Sequence, residues 1–252
     1  MFEDDGLSLI YFTSDPVKGK RILESGANSL LLDCETSGKT ARQQGFDTEI
    51  NSNDPSQIKE LRRVNPTAHI MCRVSNPEDP TVENQINTAI NAGSNTIVLP
   101  ITETALQIQR INKIIDGRAN LIIMIETQIG VDNFAYMAKK SSFDAVYIGL
   151  NDLSISRGGK PIFEPLKDGT VEYIISTTSK PVGVGGVTDP SYGHPVKSAE
   201  IIKLYADLGV KFTVLRRSFN HVISDLPPKL VINNIRAEYN TNINKSLVLV
   251  AK

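Results

Sequence analysis

Acidic side chains follow two neighbouring apolar runs near the middle of the sequence. Glu126 comes directly after the run 121–125, and Asp152 stands four residues after the run 145–148. Both runs are short, rich in β-branched residues and without polar alternation, which is typical of strands buried on both faces. Two carboxylates brought to one small volume repel each other and lose hydration unless a cation lies between them. The spacing therefore indicates a divalent metal site.

Strand and helix patterns alternate along the whole chain. Eight strands with about eight helices in roughly 250 residues are typical of an α/β fold of the (β/α)8 TIM barrel type, which we predict for residues 1–226. A doubly wound open sheet is the alternative, but it would need a glycine loop where the chain has Thr13-Ser-Asp-Pro. After Pro227-Pro228, residues 227–252 are predicted to form a C-terminal helical extension and tail that could serve oligomerisation. The predicted strands are 7–12, 29–33, 68–74, 96–99, 121–125, 145–148, 181–187 and 211–215.

The catalytic face of such a barrel lies at the C-terminal ends of its strands, where charged residues gather in this sequence. Carboxylate oxygens favour Mg²⁺ or Mn²⁺, and the absence of a histidine or cysteine cluster at these positions disfavours zinc. Taken singly, Glu126 and Asp152 could instead be ordinary acids paired with Arg73 or Arg216. The residues at the strand ends are Asp33, Glu35, Arg73, Pro100, Thr102, Glu126, Asn151, Asp152, Gly185, Gly186, Arg216 and Arg217.

Two further groups of residues could bind the anionic parts of a substrate. The backbone N–H groups of Leu150 and Asn151 begin a turn or helix and could receive a carboxylate. Gly185, Gly186 and Arg216 follow strands seven and eight, where barrels often hold phosphate. The alternative is that the glycines allow close packing and the arginine faces solvent. If this anion site exists, the substrate carries a phosphate or a second carboxylate.

Composition excludes several classes of function. The formal net charge is −1, so the basic excess of a nucleic-acid-binding protein is missing. No run approaches the roughly 20 apolar residues of a membrane span, and the N-terminus has no signal-peptide pattern, so we expect a cytoplasmic protein. Lys180 and Lys211 precede their strands, whereas a Schiff-base aldolase needs a lysine at the C-terminal end of a strand.

Two motifs resemble strand ends of the HpcH/HpaI aldolase and citrate lyase β-subunit family. They are Met124-Ile-Glu-Thr and Ile148-Gly-Leu-Asn-Asp-Leu-Ser, with a weaker match in Leu30-Leu-Leu-Asp-Cys-Glu. The resemblance implies a metal-dependent carbon–carbon lyase or aldolase that acts on a 2-oxo acid such as pyruvate or oxaloacetate through an enolate. It also implies a homo-oligomer formed by exchange of the C-terminal helix. By this resemblance Glu126 and Asp152 would ligate Mg²⁺ or Mn²⁺, and Arg73 would hold the enolate oxygen. We further predict that Glu35 holds a metal-bound water molecule that moves the proton.

The sequence also departs from this family. Thr36 stands where the aldolases have a histidine that takes part in proton transfer, and Ile101 stands where the citrate lyase branch has a lysine. An insertion that the aldolases carry between helix four and strand five is missing. These departures leave an alternative function open, namely a barrel that binds a metal or anionic ligand as a binding or assembly subunit without lyase chemistry.

Overall fold

The computed structural model describes residue 2, residues 6–35 and residues 53–250, with side chains to residue 243. Within this part of the chain, eight parallel strands form a closed barrel in sequence order, which confirms the predicted (β/α)8 fold. Thr36 and the polar stretch that follows it to residue 52 lie outside the described residues. The strands are β1 (Ser8–Phe12), β2 (Ser29–Asp33), β3 (His69–Arg73), β4 (Thr96–Leu99), β5 (Asn120–Ile125), β6 (Ala145–Ile148), β7 (Val182–Val187) and β8 (Phe212–Leu215).

Helices follow the strands and cover the outside of the barrel. They are α1 (Pro16–Glu24), α2 (Ile58–Val64), α3 (Val82–Asn91), α4 (Ala105–Ile115), α5 (Gln128–Lys140), α6 (Leu150–Ser156), α7 (Thr170–Thr177), α8 (Ser198–Leu208), α9 (Arg217–Asp225) and α10 (Pro228–Val250). None of the helices in the described ranges is long and apolar enough to cross a membrane.

Side-chain caps fix where several helices begin. Asp15 accepts hydrogen bonds from the first N–H groups of α1, and Thr104 forms a capping box with Gln107 at the start of α4. Helix α3 begins at Val82, three residues after Asp79, because the Asp79 carboxylate accepts from Thr81 N at 2.7 Å and holds a turn there. The caps therefore set the direction in which each chain segment leaves the catalytic face.

Two apolar layers hold the barrel together. One lies between the strands and the helices, and the other fills the barrel interior, where Phe2 stacks on Phe212 with ring centroids 4.1 Å apart. The interior layer closes the barrel below the catalytic end, so that the centre is a packed core. Its buried members are Ile10, Leu31, Met71, Val98, Ile122, Met124, Ala145 and Phe212.

Helix α10, the predicted C-terminal extension, packs on the barrel of its own chain. Its buried face includes Ile232 and Tyr239, and the Tyr239 hydroxyl donates to the carbonyl of Val210 at 2.6 Å. On its other side, Arg236 donates to Asn28 at 2.8 Å. The helix thus contacts the segments that precede both β2 and β8. A role in oligomerisation stays a prediction.

Candidate active site

A cavity of about 600 Å³ opens at the C-terminal end of the strands. It contains most of the predicted site residues, including Asp33, Arg73, Glu126, Asp152 and Arg216. Leu150, Asn151, Gly185 and Gly186 also line it. The structure thus brings the acidic, basic and glycine positions of the prediction into one space. Glu35 is the exception: it is buried and does not line the cavity formed by the described residues.

Glu126 is held at the end of β5 by two backbone features. Ile101 has a left-handed conformation with φ of 47°, and its N–H donates to Glu126 Oε2 at 3.1 Å. On the other side, a Cβ at Gly149 would lie only 2.4 Å from Glu126 Oε1. The carboxylate therefore fits only because residue 149 has no side chain. The sequence gives no signal for either contact, since both join residues from different strand ends.

Asp152 lies in the first turn of α6, just beyond β6. Its Oδ1 atom is buried and has no hydrogen-bond partner among the described residues. A buried carboxylate oxygen without a partner loses the hydration that it has in the unfolded chain. The neighbouring N–H groups at the start of α6 have no acceptor within the helix. This corner of the cavity therefore has both a free acceptor and free donors.

The two carboxylates influence each other electrostatically. Burial raises the pKa of Glu126 first, and the charges of Asp152 and Glu35 raise it further, from the usual 4.5 to about 8. Arg73 and the Ile101 N–H act in the opposite direction, with smaller effect. The pair accordingly carries an excess of negative charge that a cation or a proton would relieve.

Arg73 at the end of β3 is fixed by the acids of β2. Its Nε and Nη2 donate to the two oxygens of Asp33 at 2.9 and 2.8 Å, and Nε lies 3.6 Å from Glu35 Oε2. Burial lowers the pKa of Arg73, but Asp33 and Glu35 outweigh that effect and raise the pKa above its usual range. The Nη1 group has no hydrogen-bond acceptor in the described part of the chain. Asp33 is therefore a structural partner, and Arg73 keeps donors for a ligand.

Tyr147 lines the cavity but was not among the predicted site residues. It lies in the middle of β6, between the apolar interior and the cavity, with its ring 6.0 Å from that of Phe212. Burial raises its pKa well above the usual value, and the neighbouring Tyr205 adds to this effect. A tyrosine within the apolar run 145–148 was the available signal, because strand residues alternate between the barrel interior and the helix layer.

The opposite side of the cavity is basic. Arg216 follows β8, and its guanidinium carbon lies 5.5 Å from the centre of the Phe163 ring. A Cβ at Gly186 would lie 2.5 Å from Arg216 Cγ, so the arginine needs a glycine there. A Cβ at Gly185 would meet Leu150 at 2.8 Å. The glycine pair thus lets two lining side chains approach strand β7.

The donor set suits an Mg²⁺ or Mn²⁺ ion that keeps several waters. Glu126 and Asp152 offer oxygen atoms, and the unpartnered Asp152 Oδ1 is free to bind a cation. Among the described residues, no group of three or more histidine, cysteine, aspartate or glutamate side chains is placed to hold a metal. The described side chains would therefore supply two ligands, which fits Mg²⁺ better than a structural zinc site.

Comparisons with known proteins place this chain in a family. The sequence profile of the HpcH/HpaI aldolase/citrate lyase family matches residues 14–184. No curated protein matches the sequence. A family protein from Burkholderia cenocepacia J2315 is 15% identical, with 88% of this chain and 91% of the other covered and a TM-score of 0.65.

Two other solved structures share the fold at similarly low identity. The citrate lyase beta subunit from M. tuberculosis, solved with oxaloacetate and magnesium, is 15% identical over 93% of this chain and 97% of its own, with a TM-score of 0.62. The citrate synthase SbnG is 18% identical over 87% of this chain and 91% of its own, also with a TM-score of 0.62. Since the profile covers more than half of the sequence, the protein belongs to the HpcH/HpaI aldolase/citrate lyase family.

Proposed function

We propose that the protein is a divalent-metal-dependent lyase or aldolase that breaks or forms a carbon–carbon bond of a 2-oxo acid. The observation that carries the proposal is the pair Glu126 and Asp152, which share one corner of the cavity, raise the local negative charge and leave Asp152 Oδ1 without a partner. Oxaloacetate in the magnesium-bound citrate lyase beta subunit supports a small 2-oxo carboxylate as the substrate class.

Residues of three strand ends would hold the substrate. An ion bound by Glu126 and Asp152 would supply the positive charge that stabilises an enolate. The Nη1 donors of Arg73 would bind the oxygen on which enolate charge develops, and Asp33 keeps that guanidinium in a fixed orientation. The N–H groups of residues 150–152 would orient the substrate carboxylate.

Tyr147 and Glu35 would serve the proton transfers of the reaction. The Tyr147 hydroxyl lines the cavity and keeps its proton at neutral pH, so it would donate that proton to the strongly basic enolate carbon and regain one from solvent. Glu35, next to Arg73, would hold a water molecule that takes up the proton released when the carbon–carbon bond breaks. Tyr147 would thereby supply the acid at a site where Thr36 replaces the histidine of the aldolases.

Exchange of the methyl protons of pyruvate for deuterium, followed by NMR with and without Mn²⁺, tests this function. We expect metal-dependent exchange in the wild-type protein, about a 10³-fold loss in Asp152→Asn, and about a 10²-fold loss in Tyr147→Phe with unchanged Mn²⁺ affinity. Tyr136→Phe, at an exposed position of α5, is the matched control. Exchange that needs no metal, or that survives in Asp152→Asn, would contradict the proposal.

A binding or assembly subunit is the second candidate. The link between α4 and β5 is only residues 116–119, so no insertion reaches the cavity from that side. Mn²⁺ binding in calorimetry, together with no turnover of any 2-oxo or 3-hydroxy acid, would favour this alternative over the lyase.

A further inference from the structure

Arg216 carries a positive charge that the described part of the protein does not neutralise. Its Nη1 atom is buried and has no hydrogen-bond partner, and no described carboxylate forms an ion pair with it. Burial lowers the pKa of Arg216, yet an arginine keeps its proton at neutral pH. A partly buried charge without a partner is costly unless a ligand supplies the opposite charge.

The guanidinium is nevertheless held in a defined place. It lies against the Phe163 ring, and its stem passes over Gly186 at a distance that leaves no room for a Cβ. Cation–ring contact stabilises a cation without neutralising it. Both neighbours line the cavity, so the guanidinium is positioned toward the space that a substrate would enter.

Other donors line the same side of the cavity. Lys18 in the first turn of α1 and Asn220 on α9 both line it. The Tyr11 hydroxyl donates to Asn220 Oδ1 at 2.7 Å, which leaves the Asn220 amide Nδ2 as a donor. Asp15 is the acid on this side, and it accepts from Val17 N and Lys18 N as the cap of α1.

We propose that Arg216, Lys18 and Asn220 form a subsite for a phosphate monoester on the second substrate, the one that does not become the enolate. A phosphate monoester carries about −1.5 to −2 charges at neutral pH and three strong acceptor oxygens. Two cations and an amide match that group better than they match a single carboxylate. The subsite rests on the proposed function only for the statement that two substrates share the cavity.

Titration of the metal-free full chain with inorganic phosphate, by calorimetry in EDTA, tests the subsite. We expect saturable binding in the wild-type protein, at least about 10-fold weaker binding in Arg216→Gln, and about 3-fold weaker binding in Lys18→Gln. Lys20→Gln is the matched control, because Lys20 lies on the same helix and faces Glu24 at 3.9 Å.

Three results would overturn the assignment: no saturable binding in the wild-type protein, equal affinity in Arg216→Gln, or succinate binding as tightly as phosphate. Thermal unfolding shows whether Arg216→Gln is folded, and Lys18→Gln changes an exposed residue, so at least one variant stays interpretable. The titration uses neither metal nor turnover. A failed deuterium exchange would therefore overturn the lyase proposal and leave the phosphate subsite standing. Deuterium exchange without saturable phosphate binding would overturn the subsite and leave the lyase proposal standing.

Discussion

The two sides of the cavity carry opposite charges and differ in how those charges can be relieved. On the acidic side, Glu126 can take up a proton, and its pKa of about 8 means that it does so near neutral pH. On the basic side, Arg216 cannot lose its proton in the same range. The acidic side should therefore respond to pH and to cations, whereas the basic side should respond only to anions. This difference separates a metal site from an anion site within one cavity.

Among changes that leave every charge in place, Gly149→Ala should have the largest effect, because it disturbs the acidic side of the cavity. The new Cβ would lie 2.4 Å from Glu126 Oε1, so the carboxylate must move away from Asp152. We expect Mn²⁺-dependent exchange to fall about 10²-fold or more, because small displacements of a catalytic group are costly. Gly19→Ala, where the Cβ meets only the end of Leu30 at 2.7 Å, is the control. Equal activity in both variants would show that Glu126 has no fixed role.

Next in size is the pH dependence of Mn²⁺ affinity. An ion that binds Glu126 must displace its proton below pH 8, so the apparent affinity should rise about tenfold per pH unit well below pH 8, or about 50-fold from pH 6 to pH 8, and then level off. Electron paramagnetic resonance of free Mn²⁺ measures this directly. An affinity that stays flat over that range would mean that Glu126 is not a ligand.

A separate expected effect concerns stability without metal. Because the pKa of Glu126 is 4.5 when unperturbed and about 8 in the fold, the native state holds a proton that the unfolded chain releases. The free energy of unfolding should thus fall as the pH rises from 4.5 to 8 and be flat outside that interval, with a loss on the order of 5 kcal/mol. Glu126→Gln should remove this loss.

The same measurement sharpens the contrast between the two sides. Arg216→Gln removes an unpaired charge but also its contact with the Phe163 ring. We therefore expect the free energy of unfolding to change by less than about 1 kcal/mol, and this change to be independent of pH from 4.5 to 8. Urea unfolding in EDTA at pH 5 and pH 8 gives both values. A pH-dependent effect in Arg216→Gln would mean that the two sides are coupled.

The barrel could be predicted from the sequence because each of its strands is recognisable from a short local pattern. Short β-branched runs bounded by helix starts identify each strand, and the closed topology follows from their number. Helix α9 was not predicted. It has nine residues, of which only Phe219, Val222 and Ile223 are apolar, so it shows no long apolar stripe. Phe219 packs at 6.0 Å from Tyr11, a contact that joins opposite ends of the chain.

The site was predictable to the level of residue type and strand end. Acids, arginines and glycines at strand ends could be identified because the carboxyl ends of parallel strands meet at one face. The left-handed backbone at Ile101, the clearance at Gly149 and the position of Tyr147 could not. Each depends on contacts between distant segments, which no local pattern records.

The contacts of α10 bear on how the barrel is made. Of the barrel strands, β1 leaves the ribosome first but pairs with β8, the one synthesised last. Until β8 arrives, one edge of β1 is an open template for association with other chains. Helix α10, made later still, contacts Asn28 beside β1 and Val210 before β8. Chains truncated before residue 228 would still contain β8 to pair with β1, but they would lack the helix that contacts both segments. They should therefore aggregate more readily than the full chain.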